Sequence, residues 1–251
     1  MLQQTQVDRV VPRWHRFLAR FPTVRSCAAS PVGDVIDEWS GLGYNRRAVN
    51  LHRLSVAVVE EHEGRFPRDR AALEALPGVG PYTSRAVRVF AFEAADAVLD
   101  TNVARILART VGHPLGRSEA QRLAEANLGR SPWHHNQALL DVGAGWCRPR
   151  EPRCGTCPLA PHCRWALDGH PEPDPAIGSA GVSGRQSRFE GSDRQGRGRL
   201  VRALRAGPVA TDRVADVMGW PDDPERAARV AATLVADGLA VDDGGALRLP
   251  G

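Results

Sequence analysis

The sequence predicts an all-α fold that ends in a small winged-helix-like module. Apolar residues recur at helical steps over the first ~165 residues, and strand-like alternation is absent there. The last ~55 residues read instead as three short helices and a hairpin. At 251 residues the chain suits one large or two small domains with a substantial core.

In the first element Val7, Val10, Val11, Trp14, Phe17 and Leu18 fall at three- and four-residue spacing, and Pro12 is expected to kink or restart the helix. In SPVGDVIDEWSGLG, Ser30 is placed as an N-cap, Pro31 at the first helical position and Gly41 after the end. Helical patterning continues through RRAVNLHRLSVAVVEEH, DRAALEAL, YTSRAVRVFAF, TNVARILARTV, EAQRLAEANL and HNQALLDVGAGW. Residues 168–195 are rich in Pro, Gly and Ser, the composition of a flexible linker. Beyond it, RGRLVRALRA, ATDRVADVMGW and PERAARVAATLVADGL read as helices, and AVDDGGALRLP as a hairpin turning at Asp243-Gly244. Such a module serves either DNA binding or plain packing, and fold does not choose between them.

Hydrophobic residues make up 42% and charged residues 25%, as in ordinary globular proteins. No signal-peptide pattern and no apolar run of about 18–20 residues is present, so the expected location is the cytoplasm, with no membrane partner. A net charge of +4 and a pI of ≈ 9.1 lean toward an anionic partner such as nucleic acid; a basic protein without one fits equally. All 33 basic side chains are arginine, so no ε-amine exists for a Schiff base.

Three motifs carry chemistry. Cys147, Cys154, Cys157 and Cys163 form a C-x6-C-x2-C-x5-C loop. Four clustered thiols in a cytosolic protein point to metal ligation. Structural zinc favours two short pairs, whereas one pair with two spread cysteines suits the corners of a [4Fe–4S] cube. Cys27 stands alone on a helical segment and reads as a core residue. The turn LPGVGPYT carries Gly78 and Gly80 between two helices, either to aim backbone N–H groups at a phosphate or simply to connect. In VLDTNVARIL, Asp100 begins a helix, where an N-cap role is the simplest reading.

Together these residues resemble the helix-hairpin-helix DNA glycosylases with an iron–sulfur cluster, and most closely their MutY-type adenine glycosylase branch. MLQQTQV, GLGYNRRAVNL, LPGVGPYT, LDTNVARIL and the cysteine loop stand in that family's order over residues 1 to ~165. The resemblance implies a six-helix barrel domain with the helix-hairpin-helix over 1–110 and an iron–sulfur domain over 111–167. The linker over 168–195 and the winged-helix-like module over 196–251 follow. It implies that Asp100 is the catalytic carboxylate that stabilises an oxocarbenium-like sugar, with Tyr82 beside it. Tyr82 stands where a related branch has its Schiff-base lysine, so the implied enzyme is monofunctional. Gln3 and Gln4 would probe the opened duplex, and Tyr44 would intercalate beside the opposing base. Gly78, Val79, Gly80 and Thr83 would hold DNA backbone. The four loop cysteines would bind a [4Fe–4S] cluster, and Arg148, Arg150, Arg153 and Arg164 would face phosphates.

The implied partner is double-stranded DNA with adenine mispaired with 8-oxoguanine or guanine, met by a monomer in the bacterial cytoplasm at the nucleoid. A thymine or uracil mismatch glycosylase is the enzymatic alternative, and a non-catalytic iron–sulfur DNA-binding protein the other. The ~55 residues after the linker are too few for the Nudix-like domain of longer members. The family's general acid is the glutamate of SEVMLQQT, two residues ahead of the methionine at which this sequence starts. An N-terminally truncated chain is therefore expected. Single-turnover assays on an A:8-oxoguanine duplex check this: the 251-residue chain should cleave slowly or not at all, and an upstream-extended version normally.

Overall fold

The computed structural model describes residues 1–2, 5–180 and 188–251; Gln3, Gln4 and residues 181–187 of the expected linker lie outside the described residues. The helices are α1 (Val7–Arg20), α2 (Val24–Ala28), α3 (Val32–Glu38), α4 (Arg46–Glu61), α5 (Arg70–Ala75), α6 (Pro81–Phe92) and α7 (Thr101–Val111). They continue as α8 (Arg117–Ala126), α9 (Pro132–Gly145), α10 (Arg164–Leu167), α11 (Asp193–Leu204), α12 (Val214–Met218) and α13 (Pro224–Ala236). Short strands β1 (Val209–Ala210), β2 (Val241–Asp242) and β3 (Ala246–Arg248) form an antiparallel sheet in the order β1-β3-β2. Among the described residues no helix is long and apolar enough to cross a membrane.

The described chain divides into two compact units. One contains Met1–Pro67, Leu76–Gly78 and the C-terminal stretch from 188 on. A single buried cluster unites its N-terminal helices (Val10, Phe17, Val35, Trp39) with the C-terminal ones (Leu200, Met218, Leu234). Cys27, 3% exposed, belongs to that core. The C-terminal stretch has the three helices and hairpin that the sequence predicts, plus β1, which pairs Val209 with Leu247. α1 runs through Pro12 instead of restarting there, with Val10 and Phe17 on either side buried in the same core. Ser30 does not cap α3: its hydroxyl donates to the Ser26 carbonyl at 2.8 Å, near the end of α2, and Pro31 occupies the cap position. A carbonyl without a helical partner is the stronger attraction for that hydroxyl.

The other unit contains Arg68–Ala75 and the chain from 79 to 180. Its axis is α7, in which every residue from Val103 to Arg109 is buried, Arg105 and Arg109 included. Ser84, fully buried on α6, donates to Glu74 on α5 at 2.8 Å and ties the two helices of the hairpin. Residues 174–180, within the expected linker, are hydrogen-bonded into this unit. Ser179 Oγ accepts from Leu115 N–H at 3.1 Å, and Ala180 N–H donates to the Leu115 carbonyl at 3.0 Å.

The extended segment before α7 is held by buried Asn136. Its Oδ1 accepts from Val98 N–H at 2.7 Å, and its Nδ2 donates to the Asp96 and Pro132 carbonyls. Asp96 in turn takes Arg85 and Arg88. Replacing Asn136 with alanine strands a buried donor and acceptor, so Asn136→Ala should destabilise the fold by about 2–4 kcal/mol. Urea unfolding checks this, and an unchanged midpoint would remove Asn136 from the framework.

Candidate active site and cysteine cavity

Asp100 sits at the N-cap of α7 in extended backbone, and its Oδ1 accepts from Val103 N–H at 2.7 Å. That leaves Oδ2, which accepts from Asn102 Nδ2 at 3.0 Å. Both carboxylate oxygens are thus engaged at the head of α7. Tyr82, on the first turn of α6, stays 37% exposed, open enough for a ligand to reach it. Burial, and then the charge of Asp100, push its phenol above the ordinary tyrosine value. The fold thus brings the two predicted catalytic side chains within electrostatic reach and keeps Tyr82 a neutral hydrogen-bond donor.

Asn102 passes this anchoring onward. Its Oδ1 accepts from Arg105 at 2.8 Å, and Arg105 also donates to the carbonyls of Gly143 (2.9 Å) and Cys147 (2.7 Å). A Cβ on Gly143 would meet Asn102 Cβ at 2.5 Å, so glycine lets α9 approach α7 this closely. One hydrogen-bonded path therefore runs from Asp100 to the first loop cysteine.

The four loop cysteines line one hollow, with apolar walls that include Ile106, Val142, Trp146 and Trp165. Short turns shape the loop: Cys157 N–H donates to the Cys154 carbonyl and Cys163 N–H to that of Ala160. Burial, and then the other cysteines' charges, raise the Cys154 thiol; burial also raises that of Cys163. Arg109, 2% exposed, donates to Cys147 Sγ at 3.4 Å and pairs with Asp174 at 2.5 Å, its guanidinium 4.6 Å from the Trp165 ring. Among the described residues no three His, Cys, Asp or Glu converge on a point that would hold a single ion. A mononuclear zinc site needs its sulfurs about 2.3 Å from one centre. The four thiols that line this hollow are the donor type that an iron–sulfur cluster takes.

The predicted DNA-contact residues occupy two loops. Tyr44 is exposed and in the left-handed region (φ 48°), between Gly43 (φ 71°) and α4. Trp39 Nε1 donates to the Gly43 carbonyl at 3.1 Å, and the Arg47 guanidinium lies 5.4 Å from the Tyr44 ring. Gly78 also has positive φ (78°), and a Cβ there would meet Asn50 at 2.8 Å. Gly80 differs from expectation: its backbone is extended and the space beside it is open, so the turn does not require glycine there. Pro81 opens α6, whose first turn carries Tyr82 and Thr83. Sequence reading did not single out Asn102, Arg105, Arg109 or Asp174. The available signal was two arginines four residues apart on the side of α7 away from Val103, Ile106 and Leu107.

A helix-hairpin-helix turn followed by an aspartate-capped helix and a cysteine loop defines a class. Residues 1–128 match the HhH-GPD superfamily base excision DNA repair protein family, and the chain belongs to it. The adenine DNA glycosylase of Mycolicibacterium smegmatis is 38% identical over 244 residues, covering 95% of this chain and 80% of that protein. That of Mycobacterium tuberculosis is 38% identical over 246 residues, covering 95% and 79%. A solved thermostable thymine-DNA glycosylase aligns with a TM-score of 0.61 at 28% identity, covering 66% of this chain and 80% of that one. A trapped endonuclease III–DNA covalent intermediate gives 0.60 at 25%, covering 66% and 79%.

Tyr44 and Tyr82 are the two tyrosines of the chain, so Tyr44→Phe isolates the Tyr82 phenol for alkaline titration by ultraviolet absorbance. Its midpoint should lie above about 10, and adding Asp100→Asn should bring it down, because a negative neighbour disfavours the phenolate. An unmoved midpoint would separate the two side chains.

Proposed function

We propose that this chain is a monofunctional base-excision enzyme that hydrolyses the N-glycosidic bond of adenine mispaired with 8-oxoguanine or guanine in double-stranded DNA. That it is a DNA N-glycosylase acting on adenine rests on its family and on relatives that match almost its whole length. The observation that carries the mechanism is the fixed carboxylate of Asp100 beside a neutral Tyr82.

In this reading the target nucleotide leaves the stack, at a cost of a few kcal/mol, and Tyr44 fills the gap from its loop. Gln3 and Gln4 probe the opened duplex, and Gly78, Val79, Gly80 and Thr83 hold backbone phosphate at the head of α6. As the C1′–N9 bond breaks, positive charge grows on the deoxyribose and Asp100 offsets it. Water adds to C1′ as hydroxyl, and the proton it gives up balances the one that adenine takes as it departs. Tyr82 donates a hydrogen bond beside Asp100 and has no amine with which to form a covalent adduct.

Cys147, Cys154, Cys157 and Cys163 are the residues that would hold a [4Fe–4S] cluster. When bound, the cluster cross-links the loop that bears Arg148, Arg150 and Arg153. Those arginines meet phosphate by charge.

The thymine-DNA glycosylase neighbour supports a second reading, mismatch thymine or uracil excision, and its lower identity over less of the chain ranks it behind. Single-turnover assays on duplexes with A:8-oxoguanine, A:G, T:G and U:G separate the two. In the upstream-extended version adenine strands alone should be cut, and Asp100→Asn should lower that rate by about 10²–10³-fold, or about 2.7–4 kcal/mol. Borohydride should trap no lysine adduct. Cleavage of T:G with adenine untouched would replace this assignment. Absorbance near about 400 nm on the same protein distinguishes iron–sulfur from zinc.

A further inference from the structure

Residues 196–251 carry eight arginines against seven aspartates and one glutamate, so the C-terminal module is formally neutral in a chain of net charge +4. Its hairpin turn exposes Asp242 and Asp243, and backbone N–H groups of Ala246 and Gly245 hold the Asp243 carboxyl below its usual range. A wing of that sign repels phosphate.

The same module grips the N-terminal helices of its unit at defined points. Gly238 (φ 73°) turns the end of α13 against α4, where a Cβ would meet Arg53 at 3.1 Å and Val49 at 3.4 Å. Gly33 N–H donates to the Pro250 carbonyl at 3.1 Å. Two polar grips fall on either side of the Tyr44 loop. Arg205 of the module donates to Asp37 and, at 2.6 Å, to Ser40 Oγ, immediately before Gly41. Asp237 of the module pairs with Arg46 at 3.4 Å, two residues after Tyr44. Leu42, inside the loop, is buried in the core that the module shares.

Between those flanks Gly41, Gly43 and Tyr44 all have positive φ. A non-glycine residue holds that conformation only when its surroundings over-determine it. We infer that the C-terminal module is a brace that sets the Tyr44 loop, with Arg205 and Asp237 as positioning residues, and is not a DNA-reading head. This rests on Tyr44 being the intercalating residue of the proposed function.

The test uses the full chain and a duplex carrying 2-aminopurine beside the 8-oxoguanine opposite adenine, whose fluorescence rises when an inserted ring unstacks it. Tyr44→Ala should abolish the rise. Arg205→Asp should reduce it and weaken binding of this duplex about fivefold, with binding of an undamaged duplex and the melting temperature unchanged. The swap Arg205→Asp with Asp37→Arg should restore the signal, and Asp237→Asn should reproduce the defect from the other flank. A full signal in Tyr44→Ala sinks the intercalation reading. A signal lost in Tyr44→Ala but intact in Arg205→Asp and Asp237→Asn sinks the brace alone. Equal weakening toward all duplexes on substituting exposed Arg202 and Arg229, with a shallower salt dependence, would make the module a DNA reader and overturn the inference.

Discussion

The active-site half of this protein depends on two guanidinium groups buried inside a helix with no exposed central face. Burying a charge costs several kcal/mol unless its partners are in place. Arg105 and Arg109 find those partners on four different segments: Asn102 on α7 itself, Gly143 at the end of α9, Cys147 and Arg148 in the cysteine loop, and Asp174 after it. Any shift of one segment would leave a buried donor unmet. The carboxylate at the head of α7 and the cysteine loop near its end are therefore placed by one buried framework.

That framework was the least legible part of the sequence. Helical periodicity reveals α1, α4 and α6 to α9 because apolar residues recur every three or four positions along each. α2 and α10, at 5 and 4 residues, are too short to show a period, and β1, at two residues, shows no alternation. The cysteine loop and the glycine turn are readable because metal ligation and left-handed backbone demand particular residue types. Arginines on a helix read instead as a solvated face, and only tertiary partners reveal them as buried. Asp174 was hidden by its setting, since a Pro- and Gly-rich stretch reads as a linker even where one of its residues closes an ion pair. At Gly80 the failure ran the other way: the residue type suggested a conformational need, and the backbone shows none.

The absence of lysine bears on the same chemistry from a different direction. Arginine keeps its proton at any working pH and is a poor nucleophile, so an all-arginine chain can neutralise phosphate without offering an amine to the sugar. Tyr82, kept neutral by its burial and by Asp100, completes that pattern. In the proposed reaction the acidic member of this pair is Asp100, where a cationic sugar would need it.

The two functional elements are stabilised by opposite means, and this decides how substitutions in each should be read. The Asp100 network is polar and rests on buried Arg105, so removing one of its members strands others and costs stability. The Tyr44 loop rests on an apolar core, with its polar grips at the surface. There Arg205 and Asp37 are 29% and 43% exposed, and pairs so open to solvent add little to global stability. A change at those grips can alter the loop's conformation while the protein stays folded. If the proposed roles hold, loss of DNA engagement without loss of fold is the signature of the loop, and loss of stability that of the network built on Arg105.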